Sequence, residues 1–295
     1  MTGAAFLLAA LTALVSSWFV SPEQLEELRA GGAVVLDARE SGYFWGHLPT
    51  AQPVKWTDFR DGWGRTGRLD PDVSKMARRL ALLGVDSRRP VVVYGDAQRG
   101  FGEEGRMAWL LAYLGHPQVY ILDGGVAAWR QAGKPLVRGF APKVSAPGQL
   151  VVQVNTQLRA QRAEVLAVST ALAADSAKPP SLPLLLDVRS DEEWRGATPY
   201  FEARGGRIPG SLHLDWRQLL DAQGRLLPPS QLRALLGRVG VPDGALPPLI
   251  VYCTGGVRSA FVWAALRSLG ATQVKNYDGS FWEWAADTSL PVARP

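Results

Sequence analysis

The chain has 295 residues, 47% of them hydrophobic and 20% charged, with a formal net charge of +5. At roughly 150 residues per domain that is room for about two domains, each with a core of its own, and the ordinary globular composition excludes a disordered chain or a long coiled coil. The basic residues are scattered, with nothing denser than pairs such as Arg78-Arg79 and Arg88-Arg89, so no nucleic-acid-binding stripe is expected.

From the amino terminus, residues 4–15 are apolar apart from Thr12. The run is too short to span a bilayer, which takes about 20 residues, so stable membrane insertion is not expected. It fits the apolar core of a signal peptide, with Val15-Ser16-Ser17 as small residues for cleavage, although Met1-Thr2-Gly3 brings no Lys or Arg. Residues 1–17 are read as a leader and the chain as exported rather than cytoplasmic. The alternatives are a misplaced start or an amphipathic cap on the first domain.

Beyond the leader, Ser21 caps a helix over 22–29, and a short apolar strand over 33–36 ends at Asp37. A helix over 72–83, a β-branched strand over 91–94 and a helix over 107–114 follow. Residues 133–148 carry Pro135, Pro142 and Pro147 with little apolar periodicity, and read as an extended linker. The pattern then returns: strands over 184–186 and 249–252, helices over 230–239 and 259–269. Residues 171–183, rich in Ala, Ser and Pro, read as a loose insertion. Short, wholly apolar strands alternating with helices predict α/β domains, each a central, mainly parallel sheet flanked by helices.

The return is a repeat. Leu36-Asp37-Ala38-Arg39 recurs as Leu186-Asp187-Val188-Arg189, and Gly46-His47-Leu48-Pro49 as Gly206-Arg207-Ile208-Pro209, with Trp56 and Trp216 after them. Val91-Val92-Val93-Tyr94 matches Leu249-Ile250-Val251-Tyr252, Leu114-Gly115 matches Leu269-Gly270, and Asp123-Gly124-Gly125 matches Asp278-Gly279-Ser280, followed by Trp129 and Trp284. Landmarks in one order at a spacing of about 155 residues mean two copies of one domain, each expected to fold by itself. The expected division is 18–135 for the first copy, 136–150 for the linker and 151–295 for the second.

There is one cysteine, Cys253. A lone thiol forms no intrachain disulfide, and His47, His116 and His213 lie too far apart in sequence for a metal-ligand pair, so no metal or cofactor is expected. Cys253 leaves a strand and is followed by Thr254, Gly255, Gly256, Val257, Arg258 and Ser259, which enter a helix. The carboxyl end of a strand is where open α/β sheets bind ligands. Two glycines let successive N–H groups converge, and the helix amino terminus adds positive potential. Both favour a thiolate, so the Cys253 pKa is expected below that of an ordinary thiol. Arg258 is expected to hold an anionic oxygen pair, and Ser259 to cap the helix. Asp187 and Arg189 are read as mainly structural, because Asp37 and Arg39 repeat them in a copy without a thiol, with a supporting role behind Cys253 as the alternative. The competing reading of Cys253 is a small buried hydrophobe.

These landmarks together resemble the tandem-domain rhodaneses, thiosulfate or mercaptopyruvate sulfurtransferases, over about residues 15–291. The stretch 194–211 is similar to exported bacterial members. The resemblance implies ping-pong transfer: the Cys253 thiolate takes the outer sulfur of a small anionic donor such as thiosulfate, and a thiol or cyanide removes it from the persulfide. It implies an inactive first copy that covers one side of the cleft. Gly95 and Asp96 stand there in place of Cys253 and Thr254, and the loop 95–105 carries Glu103 and Glu104. Thr254 and Gly255 replace basic residues of the mitochondrial thiosulfate enzymes, and a further substrate arginine of those enzymes falls at Glu193. The Gly-Ser of mercaptopyruvate enzymes does not match either, so the donor stays open. Two rival activities are a sulfur carrier with little turnover, and a phosphatase or arsenate reductase. The latter place five residues between cysteine and arginine, against four between Cys253 and Arg258. A redox-sensing thiol is a third alternative.

Overall fold

A computed structural model describes residues 17–174 and 179–294. The expected leader, but for Ser17, lies outside the described residues. In the first copy, β1 (Phe19–Val20), β2 (Val34–Asp37), β3 (Gln52–Pro53), β4 (Val91–Tyr94) and β5 (Val119–Leu122) form a parallel sheet in the order β1-β5-β4-β2-β3. In the second, β6 (Leu184–Asp187), β7 (Leu212–His213), β8 (Leu249–Tyr252) and β9 (Val274–Asn276) pair in parallel in the order β7-β6-β8-β9. The two orders correspond, with a single parallel bridge from Arg159 to Asn276 where β1 would stand. Asp37 lies opposite Tyr94 and Asp187 opposite Tyr252, so the register repeats as well. β2, β4 and β8 are buried at every position, as strands covered by helices on both faces must be.

The first copy's helices are α1 (Pro22–Ala30), α2 (Val73–Leu82), α3 (Glu103–Tyr113) and α4 (Gly125–Gln131). The second's are α5 (Arg162–Ala173), α6 (Asp191–Trp194), α7 (Pro229–Arg238), α8 (Arg258–Ser268) and α9 (Ser280–Ala286). Ser21 caps α1 as expected, its hydroxyl accepting from Gln24 N while Gln24 answers to Ser21 N.

Two of the stretches assigned from the sequence take a different form. α3 begins at Glu103, not near 107, because Gly102 turns the chain at φ +79° and the helix starts directly behind it. The first copy's loop therefore runs only from Gly95 to Gly102, and Glu103, Glu104 and Gly105 are helical. Residues 171–173, read as part of a loose insertion, instead continue α5, where Val165 and Val168 bury one face and alanines favour the helix. The linker is extended but fastened along the first copy. His47 and Val137 exchange both backbone hydrogen bonds at 2.9 Å, and Gly148 N donates to Ala81 O at 2.8 Å.

Each sheet's outer face has its own core, around Val35, Val92 and Trp129 in one copy and Leu185, Ile250 and Trp284 in the other. The inner faces share a third core, in which Met107, Trp109 and Leu110 of α3 join Phe261, Val262 and Trp263 of α8. Half of this central core comes from each copy, so either copy alone would expose a large apolar face. The copies also clasp each other reciprocally: Leu69 N donates to Asp278 Oδ2, and Leu226 N to Asp123 Oδ1, both at 2.8 Å. The repeated Asp-Gly landmark thus serves a pseudo-twofold interface. At the crossing of α3 and α8, a Cβ on Gly105 would collide with the Phe261 backbone. Gly105→Ala should therefore destabilise the protein by about 1–3 kcal/mol through overpacking. A melting temperature equal to wild type would show that the helices have room to part.

Candidate active site

Cys253 stands at the carboxyl end of β8 and is buried, 1% exposed. The chain from 253 to 257 wraps the sulfur and enters α8 at Arg258. Gly256 has φ +72°, and a Cβ on Gly255 would collide with the Trp282 ring, so both positions require glycine. Burial pushes the Cys253 thiol up, but the Arg258 charge, the N–H groups of Ser259 and Gly255 and the Ser259 hydroxyl outweigh it and hold the pKa below the ordinary value. A thiolate is the reactive form, and its fraction falls as pH drops through the pKa. Alkylation of Cys253 in the folded protein should thus keep its rate to lower pH than alkylation of the unfolded chain, whose thiol titrates near about 8.5. Coincident pH profiles would contradict this.

Ser259 does not cap α8: the capping position is Val257, without a side-chain bond. The Ser259 hydroxyl, in the first turn of α8, lies 3.6 Å from Cys253 Sγ and 2.7 Å from Asn276 Oδ1, and its one proton serves either acceptor. The reason is the tight loop, which uses Val257 for the turn and leaves the next side chains free to face the sulfur.

Arg258 is engaged as well. Its Nη1 donates to Glu193 Oε2 at 2.6 Å and its Nη2 to Glu193 Oε1 at 2.9 Å, and Nη2 also reaches Thr254 Oγ1. The Thr254 hydroxyl donates to Glu193 Oε1 at 2.5 Å. Burial pushes the Glu193 carboxyl up, but Arg258, Thr254 and Arg189 bring it down to about 2, so it is ionised at neutral pH. The guanidinium expected to grip a donor is thus closed by a carboxylate from α6 in a forked pair. Ser190 fixes that carboxylate through a capping box with Glu193. Sequence reading marked Glu193 only as a place where a cation was missing.

Asp187 and Arg189 form a fully buried pair, with Nε to Oδ1 at 2.9 Å, Nη2 to Oδ2 at 2.6 Å and Nη2 to Gly206 O at 2.7 Å. Asp37, Arg39 and Gly46 repeat it at 2.9, 2.6 and 2.8 Å. In each copy the pair ties a strand end to the following turn, and neither Asp187 nor Arg189 lines the cavity over Cys253.

That cavity, about 260 Å³, lies between the copies. The second copy supplies Cys253, Thr254, Val257, Tyr200 and Trp282, and the first supplies Glu40, Trp56, Phe101 and Glu103. A larger cavity of about 690 Å³ adjoins it and shares Glu40, Phe101 and Glu103. Arg106 of α3, also unremarked in the sequence, crosses the interface: Nη1 donates to Gly256 O at 3.2 Å and Nη2 to Gly67 O. Burial lowers its pKa to about 10, which leaves it cationic at neutral pH. Ser280 is the remaining unexpected member. It adopts φ +52°, where its first-copy counterpart is Gly125 at φ +56°, and its Oγ accepts from Cys253 N at 3.1 Å. The Gly-to-Ser difference between the copies was the available signal.

The first copy has no such site. A Cβ on Gly95 would collide with Glu104 Oε2, so the carboxyl occupies the place of the missing side chain. That buried oxygen has no hydrogen-bond partner among the described residues, and burial, then the charge of Glu103, raise the Glu104 pKa to about 8. With the folded value above the unfolded one, about 4.5, the group's contribution to stability is complete below pH 4.5 and is lost as pH rises through 8. Glu104→Gln should therefore raise the melting temperature at pH 9 much more than at pH 5. An equal effect at both would contradict the raised pKa. Among the described residues no group of three or more His, Cys, Asp and Glu side chains could hold a metal ion, and no helix is long and apolar enough to cross a membrane.

Comparison with known proteins agrees with this architecture. The Rhodanese-like domain family matches residues 21–132 and again 169–287. The chain is 30% identical over 261 residues to the Sulfur carrier protein TtuD of Thermus thermophilus, covering 85% of this chain and 87% of that protein. It is 29% identical over 277 residues to a Thiosulfate sulfurtransferase of Azotobacter vinelandii, covering 92% and 96%. The crystal structure of SseA from Escherichia coli, described among 3-mercaptopyruvate sulfotransferases, superposes with a TM-score of 0.76 at 26% identity over 90% of this chain and 98% of that one. With the family matched over both copies, the chain belongs to the rhodanese family of sulfurtransferases.

Proposed function

We propose that the chain turns over as a sulfurtransferase, taking a sulfane sulfur from thiosulfate or a related donor onto Cys253 and giving it to a thiol or cyanide. The Cys253 thiolate attacks the outer sulfur of the donor. The donor's S–S bond breaks, and with thiosulfate the electron pair leaves on sulfite. The persulfide then lies within the loop that runs from Cys253 to Arg258, where N–H groups and the Arg258 charge face the sulfur. The acceptor attacks the terminal sulfur and restores the thiolate. Supporting this is the one thiol of the chain, its pKa lowered, at the base of a cavity between the copies. Arg106 and Ser280 are read as positioning residues for the loop.

Steady-state rates with thiosulfate and cyanide varied together should give the parallel reciprocal lines of a ping-pong cycle. Intersecting lines would exclude a free persulfide intermediate. A carrier with little turnover is the second reading, supported by the similarity to TtuD and by the forked pair that occupies Arg258. A kcat/KM below about 10⁴ M⁻¹s⁻¹ with every simple donor would favour it. Phosphate ester chemistry is disfavoured by that same pair, since the guanidinium that would hold the oxyanion is taken by Glu193.

A further inference from the structure

We infer that an aromatic ledge and the large cavity beside it, both on the first copy, form a docking surface for a partner protein that brings its own thiol to Cys253 on an acidic segment. The inference rests on the sulfur-transfer reading above and names the kind of acceptor. Three aromatic side chains stand together on the surface: Phe44 is 46% exposed, Trp45 77% and Phe140 88%. Phe44 meets Trp45 edge to face at 5.4 Å and Phe140 in the same manner at 5.3 Å. The backbone beneath them is fixed, since Gly139 N donates to Phe44 O at 2.9 Å beside the paired His47 and Val137. Exposed apolar clusters of this kind mark interaction sites, and Trp and Arg are among the residue types that dominate contact energy between proteins.

The ledge is continuous with the route to the sulfur. Trp45 also lines the cavity of about 690 Å³, which shares Glu40, Phe101 and Glu103 with the cavity over Cys253. Arg99, Arg130 and Arg138 line the larger cavity alone. All three are exposed, and none has an ion-pair partner among the described residues, whereas Arg39 on the same wall is closed by Asp37. Two of the wall's acids are engaged with their own loop: Asp96 Oδ1 accepts from the N–H groups of Gln98 and Arg99 at 3.2 Å, and Glu103 Oε2 from Phe101 N at 2.8 Å. The uncommitted charge beyond the junction is therefore positive and complements carboxylates. Glu40 stands at the junction itself, so the segment's carboxylates belong a few residues away from its thiol. A small molecule filling the cavity would leave Phe44 and Phe140, which lie outside its walls, in water, and only a larger body covers them. In the step itself the partner's thiolate attacks the terminal sulfur of the Cys253 persulfide. The bond from that sulfur to Cys253 Sγ breaks, its electron pair stays on Sγ, and the partner leaves as a persulfide.

The test discharges persulfide-loaded protein with three peptides: acetyl-Phe-Asp-Glu-Asp-Gly-Gly-Cys-amide, and its forms with Lys or with Ser at the three acidic positions. The kcat/KM of the acidic peptide should exceed that of the lysine peptide by about tenfold or more, with the serine peptide between, and the gap should shrink as salt is added. Arg130→Glu combined with Arg138→Glu should reverse the order. Trp45→Ala and Phe140→Ala should each slow the acidic peptide by about fivefold or more, while 2-mercaptoethanol, too small to reach the ledge, discharges every variant at the wild-type rate. Equal rates for the three peptides would overturn the inference. So would an acidic peptide indifferent to both ledge variants, since the cavity alone would then be at work. A dimer in sedimentation that Trp45→Ala dissociates would overturn it as well, because a second copy would cover the ledge. If the protein forms no persulfide, the sulfur-transfer reading fails, and docking is read apart from it by fluorescence anisotropy. A fluorescein-labelled acidic peptide with Ser in place of its Cys should bind about tenfold more tightly than the labelled lysine form, and no difference would overturn the inference on its own.

Discussion

Cys253→Ser should lose sulfur transfer entirely while keeping the wild-type fold. The hydroxyl is close in size to the thiol and fits a position that is 1% exposed, so packing changes little. What is lost is the nucleophile: a serine hydroxyl stays protonated where the Arg258 charge and the loop N–H groups hold a thiol below its ordinary pKa. No other cysteine exists to take over the sulfur. A rate well above background with an unchanged melting temperature would place the chemistry elsewhere.

Arg258→Ala should damage both stability and rate. It leaves the Glu193 carboxylate buried and without its forked partner, a change that costs about 3–5 kcal/mol. It also takes the cation away from the thiol, so the Cys253 pKa should rise and kcat/KM should fall by about ten- to a hundredfold. The two effects separate in the double variant with Glu193→Gln. Stability should return in large part, because no charge is left unpaired, while the rate should not. If Arg258→Ala instead left stability intact and raised KM for thiosulfate alone, the guanidinium would be serving the donor, as the sequence leads one to expect.

That contrast marks how far the sequence reaches. Strands such as Val91–Tyr94 and Leu249–Tyr252 were legible because burial on both faces leaves a short, wholly apolar run. The loop from Cys253 to Val257 was legible for a related reason: a strand end, two glycines and a helix start fall within a few consecutive residues. The repeat made Asp37-Arg39 and Asp187-Arg189 readable as structural pairs. It also flagged Asp123 and Asp278, although their use as reciprocal clasps between copies needs the interface to be seen.

What escaped is what long-range packing decides. Glu193 and Arg258 are 65 residues apart, and no local pattern announces that one will close the other. Arg106 reaches Gly256 only because Gly105 lets α3 approach α8. The first turn of α3 was missed because Glu103 and Glu104 look like loop residues, yet both are buried against the second copy's site or the space beside Gly95. α4 and α9, seven residues each, are too short for a periodic signal.

The central claim is that sulfur travels on the Cys253 thiol, and intact mass spectrometry under non-reducing conditions tests it most directly. After incubation with thiosulfate and removal of the excess, the wild-type protein should gain the mass of one sulfur atom. The gain should vanish on adding cyanide and be absent from Cys253→Ser. A protein that turns over thiosulfate and cyanide without ever gaining that mass, or a Cys253→Ser variant that gains it, would contradict the account.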